Sequence, residues 1–207
     1  MKALFLTNEY LTYFYGGAGV HVEYLSRELA KIIDVEVRCF GDQDNEAESL
    51  SVKGHDLEGF VPESCPQNFK GILNTLGKCL SFNMDPVTAD VVHCHTWYSQ
   101  FGGILSKLLY GTPLFITVHS LEPLRPWKRE QLGGGYDLSS WIEKTALEMA
   151  DCVIAVSNET KEDVKKLFNV SDEKLEVVYN GIDTEQYTKR VDDGTLAKNG
   201  IDPNKPY

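Results

Sequence analysis

Long apolar runs, close cysteine pairs and clustered positive charge are what this sequence has little of, and each shortage removes a class of protein. The one apolar run at the N-terminus, Ala3 to Leu6, is followed by Asn8 and Glu9. It is too short for a secretory signal or a membrane span and reads as a buried strand, so no membrane partner is expected. The 20 basic residues face 31 acidic ones, for a formal net charge of −11. Such a chain repels a phosphate backbone, and no nucleic-acid partner is expected. The five cysteines are odd in number and contain no C-x-x-C pair. They read as reduced core residues of a cytoplasmic protein. Nucleophile arrangements are missing too. Ser120 and Ser157 sit in no G-x-S-x-G elbow, no cysteine belongs to an evident Cys, His, Asn set, and no carboxylate pair marks a glycosidase, so hydrolysis is not the expectation.

The residues that are present, 42% hydrophobic and 25% charged over 207 positions, are those of an ordinary globular chain long enough for one large domain and a tail. Short β-rich runs alternate with helical stretches. The strands expected are Ala3 to Thr7, Val35 to Phe40, Val91 to Cys94, Leu114 to Val118, Cys152 to Ala155 and Leu175 to Tyr179. Most are continuous apolar runs, as strands buried on both faces are, which predicts an α/β fold with a Rossmann-like doubly wound parallel sheet. Val22, Leu25, Leu29, Ile32 and Ile33 recur at helical spacing, as do Leu138, Trp141, Ile142 and Met149, and both sets read as core stripes. Ser157 as N-cap, acidic residues early and Lys165 and Lys166 late predict a helix to Phe168. Residues 41–68, acidic and rich in Gly, Pro and Ser, read as an irregular surface excursion before a helix from Phe69 to Phe82. The pattern fades after Asp183, so residues 188–207 read as a linker, with a second domain expected to follow.

Three places could carry chemistry. Gly16-Gly17-Ala18-Gly19 opens the first helix, where backbone N–H groups without side chains in the way suit a phosphate; a flexible turn is the plainer reading. The third glycine of a dinucleotide fingerprint is missing, and Tyr10 to Tyr15 separates strand from glycines, so a nicotinamide or flavin cofactor is disfavoured. In Val92-His93-Cys94-His95-Thr96-Trp97-Tyr98, alternation sends His93 and His95 to one side, and Trp97 follows at the sheet's carboxyl edge, where ligands bind in open α/β sheets. Two histidines invite a zinc reading, but no third ligand at a recognisable spacing accompanies them, and no metal is expected. His119 ends a third strand, and the loop beyond offers prolines, Trp127 and the cations Arg125, Lys128 and Arg129, a kit for sugar rings, hydroxyls and a small anion, or else three solvated side chains.

These segments, with Gln131-Leu132-Gly133-Gly134-Gly135-Tyr136-Asp137-Leu138-Ser139-Ser140-Trp141 and Asn180-Gly181-Ile182-Asp183, make the sequence from Met1 to about Tyr187 resemble the N-terminal domain of retaining GT-B glycosyltransferases, most of all actinobacterial-type glycogen synthases. The resemblance implies two Rossmann-like domains facing a cleft, with residues 1–187 as the acceptor-side domain and residues 188–207 leading to a nucleotide-sugar-binding domain. It implies transfer of glucose from ADP-glucose or UDP-glucose to an α-1,4-glucan, with no cofactor or metal. The departing diphosphate then helps take the acceptor's proton. By the same resemblance Gly16 and Gly17 approach the donor diphosphate and His119 contacts the donor sugar as the catalytic residue. His95, Trp97, Arg125 and Lys128 shape the acceptor or phosphate side.

Two departures matter. Glycogen and starch synthases of the best-known branch carry a lysine just before the paired glycines and an aspartate after the second histidine, where this sequence has Phe14-Tyr15 and Thr96. A related group uses a sugar phosphate, glucose 1-phosphate, as acceptor and makes maltose 1-phosphate, which Arg125 and Lys128 would also suit. The 207-residue chain alone is expected to fold without catalysing transfer. An oxidoreductase or epimerase half on the same architecture and a non-catalytic carbohydrate-binding module remain as readings of a different class.

Overall fold

The computed structural model describes residues 1–11, 16–188, 194–202 and 205. Its strands are β1 (Lys2–Thr7), β2 (Asp34–Phe40), β3 (Asp44–Ala47), β4 (Leu50–His55), β5 (Val91–His95), β6 (Leu114–Val118), β7 (Cys152–Ala155) and β8 (Leu175–Val177). They form one sheet in the order β3-β4-β2-β1-β5-β6-β7-β8, parallel throughout except for β3. The helices are α1 (Gly17–Leu29), α2 (Gln67–Ser81), α3 (Trp97–Tyr110), α4 (Lys128–Leu132), α5 (Gly134–Met149), α6 (Asn158–Leu167) and the single turn α7 (Thr195–Lys198).

From β1 the chain builds outward through β2 to β4, then returns to the other side of β1 and continues through β5, β6, β7 and β8. The direction reverses between β1 and β5, and in open sheets of this kind ligands bind at the carboxyl end of that switch point. Both faces are covered, as the continuous apolar strands require. Alternation along β1 puts Ala3 and Phe5 into one apolar cluster with Val22 of α1, and Leu4 and Leu6 into another with Phe82 and Leu147. Arg38, buried on β2, ties the sheet to the end of α2 by donating to the carbonyls of Phe82, Asp85 and Pro86, with its charge balanced by Glu36 at 2.7 Å.

Three expectations are corrected. Residues 41–68 are not irregular throughout, because β4 pairs with β2 from Val35↔Leu50 to Phe40↔His55, with the wholly exposed β3 as the edge. An acidic edge strand buries no apolar face and so shows no strand pattern; its charge also discourages pairing with another chain. Trp141 is 55% exposed and Ile32 76% exposed, so neither belongs to a core stripe. The buried stripe of α5 runs through Tyr136, Ser139, Ile142, Glu143, Ala146 and Leu147, and two of its positions are polar because they face a buried polar loop. Cys65 and Cys152 are only half-buried, although all five thiols are free. The expected linker contains α7; its residues 189–193, 203, 204, 206 and 207 lie outside the described residues, as does Phe14-Tyr15.

The helix from Ser157 follows its punctuation. The Ser157 hydroxyl accepts the Thr160 N–H at 3.1 Å, and Lys165 and Lys166 fall in the last turn. Where α3 crosses β5 and β6, a Cβ at Gly103 would press on the Cys94 sulfur and lie 2.7 Å from Leu114 Cδ1. Gly103→Ala should therefore destabilise the fold by about 1–3 kcal/mol, read from urea unfolding, whereas unchanged stability would mean that the contact between helix and sheet yields freely.

Candidate functional site

Parallel pairing sets His93 beside Phe115 and His95 beside Thr117, and the chain places His119 one residue beyond β6. The same-side alternation of His93 and His95 holds, with ring centroids 4.2 Å apart. His93 Nε2 bonds Thr117 Oγ1 at 2.8 Å, and His95 Nδ1 faces His119 Nε2 at 3.5 Å. His21, on the early part of α1, completes the group, 4.8 Å from His119 and 5.5 Å from His95 between ring centroids. Four of the chain's five histidines thus meet at the carboxyl edge. Sequence reasoning found three of them but not His21, whose signal was its place two residues after the last glycine of Gly16-Gly17-Ala18-Gly19.

Burial keeps these rings neutral. It lowers His93 to about 3 and His119 to about 4, aided by the neighbouring histidines. It drives His95 well below its ordinary value and lowers His21, there against an opposing hydrogen bond with Asn180.

A cavity of about 550 Å³ opens beside the cluster, lined among others by Gly16, Gly17, Thr96, Trp97, His119 and Arg125. A Cβ at Gly16 or Gly17 would meet no described atom within 4 Å, so the glycines leave space over the start of α1. The Gly16 N–H is taken by Glu9 Oε2 at 3.0 Å. The first turn of α3 borders the same cavity, and neither helix has a side-chain cap, which leaves two sets of N-terminal N–H groups near it. Thr96 adopts φ of 80° between β5 and α3, and its hydroxyl bonds Asn8 at 2.9 Å across the switch point. Trp97 packs against Tyr98 at 4.1 Å between ring centroids, and its buried Nε1, like the Gln100 Oε1, has no partner. Arg125 also borders an adjoining hollow of about 280 Å³ shared with His119 and Trp127, whose ring is 58% exposed.

Lys128 lines neither space. Its ammonium bonds buried Glu122 at 2.8 Å, and the same glutamate takes the Ser139 hydroxyl at 3.3 Å while its carbonyl accepts Tyr136 at 2.8 Å. Glu143 Oε2 accepts the Glu122 N–H at 2.8 Å. Burial raises the Glu143 carboxyl to about 8; that N–H bond opposes the rise and the Glu122 charge adds to it. Glu143, unremarked in the sequence, therefore borders the cavity as a neutral acid at pH 7. Together these bonds fix the loop that follows His119.

The histidines make stability depend on pH. The unfolded chain takes up protons near an ordinary imidazole value of about 6.5, whereas all five folded histidines are lowered, His93 to about 3 and His55 and His119 to about 4. Stability should thus be full above about 6.5 and fall as pH drops toward 4. Glu143 opposes this, costing stability as pH rises between its unfolded value and about 8, but it is one group against five. The urea midpoint should be lower at pH 5 than at pH 7, and His93→Gln should flatten the slope by about 1.4 kcal/mol per pH unit. A midpoint that rises on acidification would contradict the buried neutral cluster.

This geometry has relatives. Alpha-maltose-1-phosphate synthase of Mycolicibacterium smegmatis is 43% identical over all of this chain, which spans 52% of that protein. The chain is thus about half the length of the curated relatives it matches. Sucrose-phosphate synthase from Thermosynechococcus elongatus superposes on the whole chain with a TM-score of 0.75 at 15% identity, over 54% of its own length. The catalytic domain of starch synthase IV from Arabidopsis thaliana, bound to ADP and acarbose, covers 92% of the chain with a TM-score of 0.60 at 16% identity, over 54% of its own length. At such identities these two likenesses show the fold, that of a GT-B glycosyltransferase. The pattern of Glycosyltransferase Family 4 matches residues 15–186, and this chain belongs to that family.

Proposed function

We propose that the protein carrying this chain transfers a glucosyl unit from ADP-glucose or UDP-glucose to glucose 1-phosphate, giving maltose 1-phosphate with retention of configuration. The observation that carries this reading is the 43% identity to an alpha-maltose-1-phosphate synthase along the whole chain. The Thr96 departure from the best-known glycogen synthases points the same way, and residues 1–187 would then form the acceptor-side half.

In this reading the N–H groups at Gly16 and Gly17 receive the donor diphosphate, which takes the place of the Glu9 carboxylate. The bond between the glucosyl anomeric carbon and the diphosphate oxygen breaks, the acceptor hydroxyl oxygen bonds that carbon on the same face, and its proton passes to the leaving diphosphate. Charge develops on that diphosphate, so preorganised N–H groups and Arg125 lower the barrier more than a nucleophile would. Neutral His119 offers the donor sugar a hydrogen bond near the reacting carbon. Arg125, bordering the cavity and 3.8 Å from Glu122, is the cation placed to meet an acceptor phosphate. Lys128 acts through Glu122 by holding the loop. His95 supports His119, and Trp97 offers its unpartnered indole N–H to an acceptor hydroxyl.

A second reading, elongation of an α-1,4-glucan, is favoured by the exposed Trp127 beside the adjoining hollow, a face on which further glucose rings could stack.

The full-length protein should release nucleoside diphosphate and form maltose 1-phosphate when given glucose 1-phosphate, as ³¹P NMR would show. Growth of glycogen chains without maltose 1-phosphate would favour the second reading, and silence with both donors and both acceptors would remove the first. His119→Ala should lower kcat by about 100-fold or more with little change in melting temperature; full activity in that variant would take His119 out of the mechanism.

A further inference from the structure

His21, His95 and His119 come from three separate elements, yet each presents a nitrogen within 4.8 Å of the others. Imidazole nitrogens sit about 2.0–2.1 Å from a tetrahedral zinc ion, which separates two of them by roughly 3.4 Å. His95 Nδ1 and His119 Nε2 stand 3.5 Å apart, near that spacing and beyond the usual range of a hydrogen bond. The contact is therefore poor as a direct bond and well proportioned as one edge of a ligand set.

A second, independent sign is unmet bonding capacity. His21 Nε2 is buried and has no partner. Buried polar atoms are nearly always satisfied, so an orphaned nitrogen in this cluster points to something that binds there. His21 also interacts with the Asn180 side chain, the kind of outer support that orients a ligating imidazole. His119 borders the large cavity, which gives an ion access from solvent. The cluster that closes to this distance is three imidazoles with no carboxylate or thiol, a set that suits zinc, cobalt or nickel and not magnesium or calcium.

We propose that His21, His95 and His119 form a three-imidazole site for a borderline divalent cation such as zinc, and that an ion held there keeps His119 from the donor sugar. The first half stands on the cluster alone, and the second rests on the transferase reading. The ion is an inhibitor in this account and takes no part in transfer.

Metal-stripped full-length protein titrated with zinc against a chromophoric chelator should bind one ion per chain, and cobalt in its place should give the intense visible bands of tetrahedral coordination. Magnesium should compete with neither. His21→Ala and His119→Ala should each weaken zinc binding by about tenfold or more, while His55→Gln, on remote β4, should leave it unchanged. Absence of saturable binding, or equal loss in His55→Gln, would overturn the site. Zinc should also suppress nucleoside diphosphate release, reversibly on chelation and at higher concentration in His21→Ala. Unit binding with undiminished release would overturn the inhibitory half. A protein that binds zinc but shows no turnover even when metal-free would fail the transferase reading and leave the metal site standing.

Discussion

The parallel pairing of β1, β5 and β6 is the constraint on which the site depends. It fixes which residues emerge at the carboxyl edge beside the switch point, and the residues that emerge are imidazoles. Phe5 on β1 packs against both His93 and His95, with ring centroids 5.1 and 5.3 Å away, so an apolar strand forms one wall of the cluster. A shift of one residue in β5 would turn its two histidines to the opposite face and break the contact between His95 and His119. The glycines opening α1 and the uncapped start of α3 derive their use from this alignment, because the same edge brings both helix N-termini to the cavity.

Charge is arranged in two tiers around that edge. The chain is acidic overall, and the groups nearest the cavity are neutral imidazoles, a neutral Glu143, the guanidinium of Arg125 and the Glu9 carboxylate, which is tied to the Gly16 N–H. A strongly negative surface would repel a sugar nucleotide or sugar phosphate, and with the imidazoles and Glu143 neutral, Arg125 and the helix N-termini are the favourable groups opposing the one Glu9 carboxylate there. The buried Glu122 hub stabilises the loop after His119 from below. Lys128 neutralises it, Ser139 and Tyr136 satisfy it, and Glu143 holds its N–H, so the loop is fixed by bonds made within the fold.

Most of the sheet was legible because β1, β5, β6 and β7 are largely apolar runs, as strands covered on both faces are, and β2 alternates Val35, Val37 and Cys39 with charged residues. Two sites of the candidate center were legible for the same reason, since a histidine at the end of an apolar strand must emerge at the edge. β3 was hidden because an exposed acidic edge carries no apolar signal, β4 because Ser51, Lys53 and Gly54 interrupt its few apolar residues, and Trp141 misled because the buried stripe of α5 uses Ser139 and Glu143 where apolar residues are expected. The partner of Lys128 was not legible at all. Whether a cation faces a ligand or a buried carboxylate depends on how the loop folds back, and sequence spacing does not report it. His21 was less legible, because its place just after the glycines does not by itself say that its ring meets His95 and His119.

On the proposed reading, neutral imidazoles, the space over the glycines and the guanidinium of Arg125 at one edge would hold a phosphorylated sugar close to a reacting carbon. Imidazole NMR signals would test this most directly, with the full-length protein titrated first with UDP-glucose or ADP-glucose and then with glucose 1-phosphate. The account predicts that signals of His21, His95 and His119 move while that of His55 on β4 stays fixed. Ligand-induced shifts at His55 with a silent cluster would place binding elsewhere and contradict it.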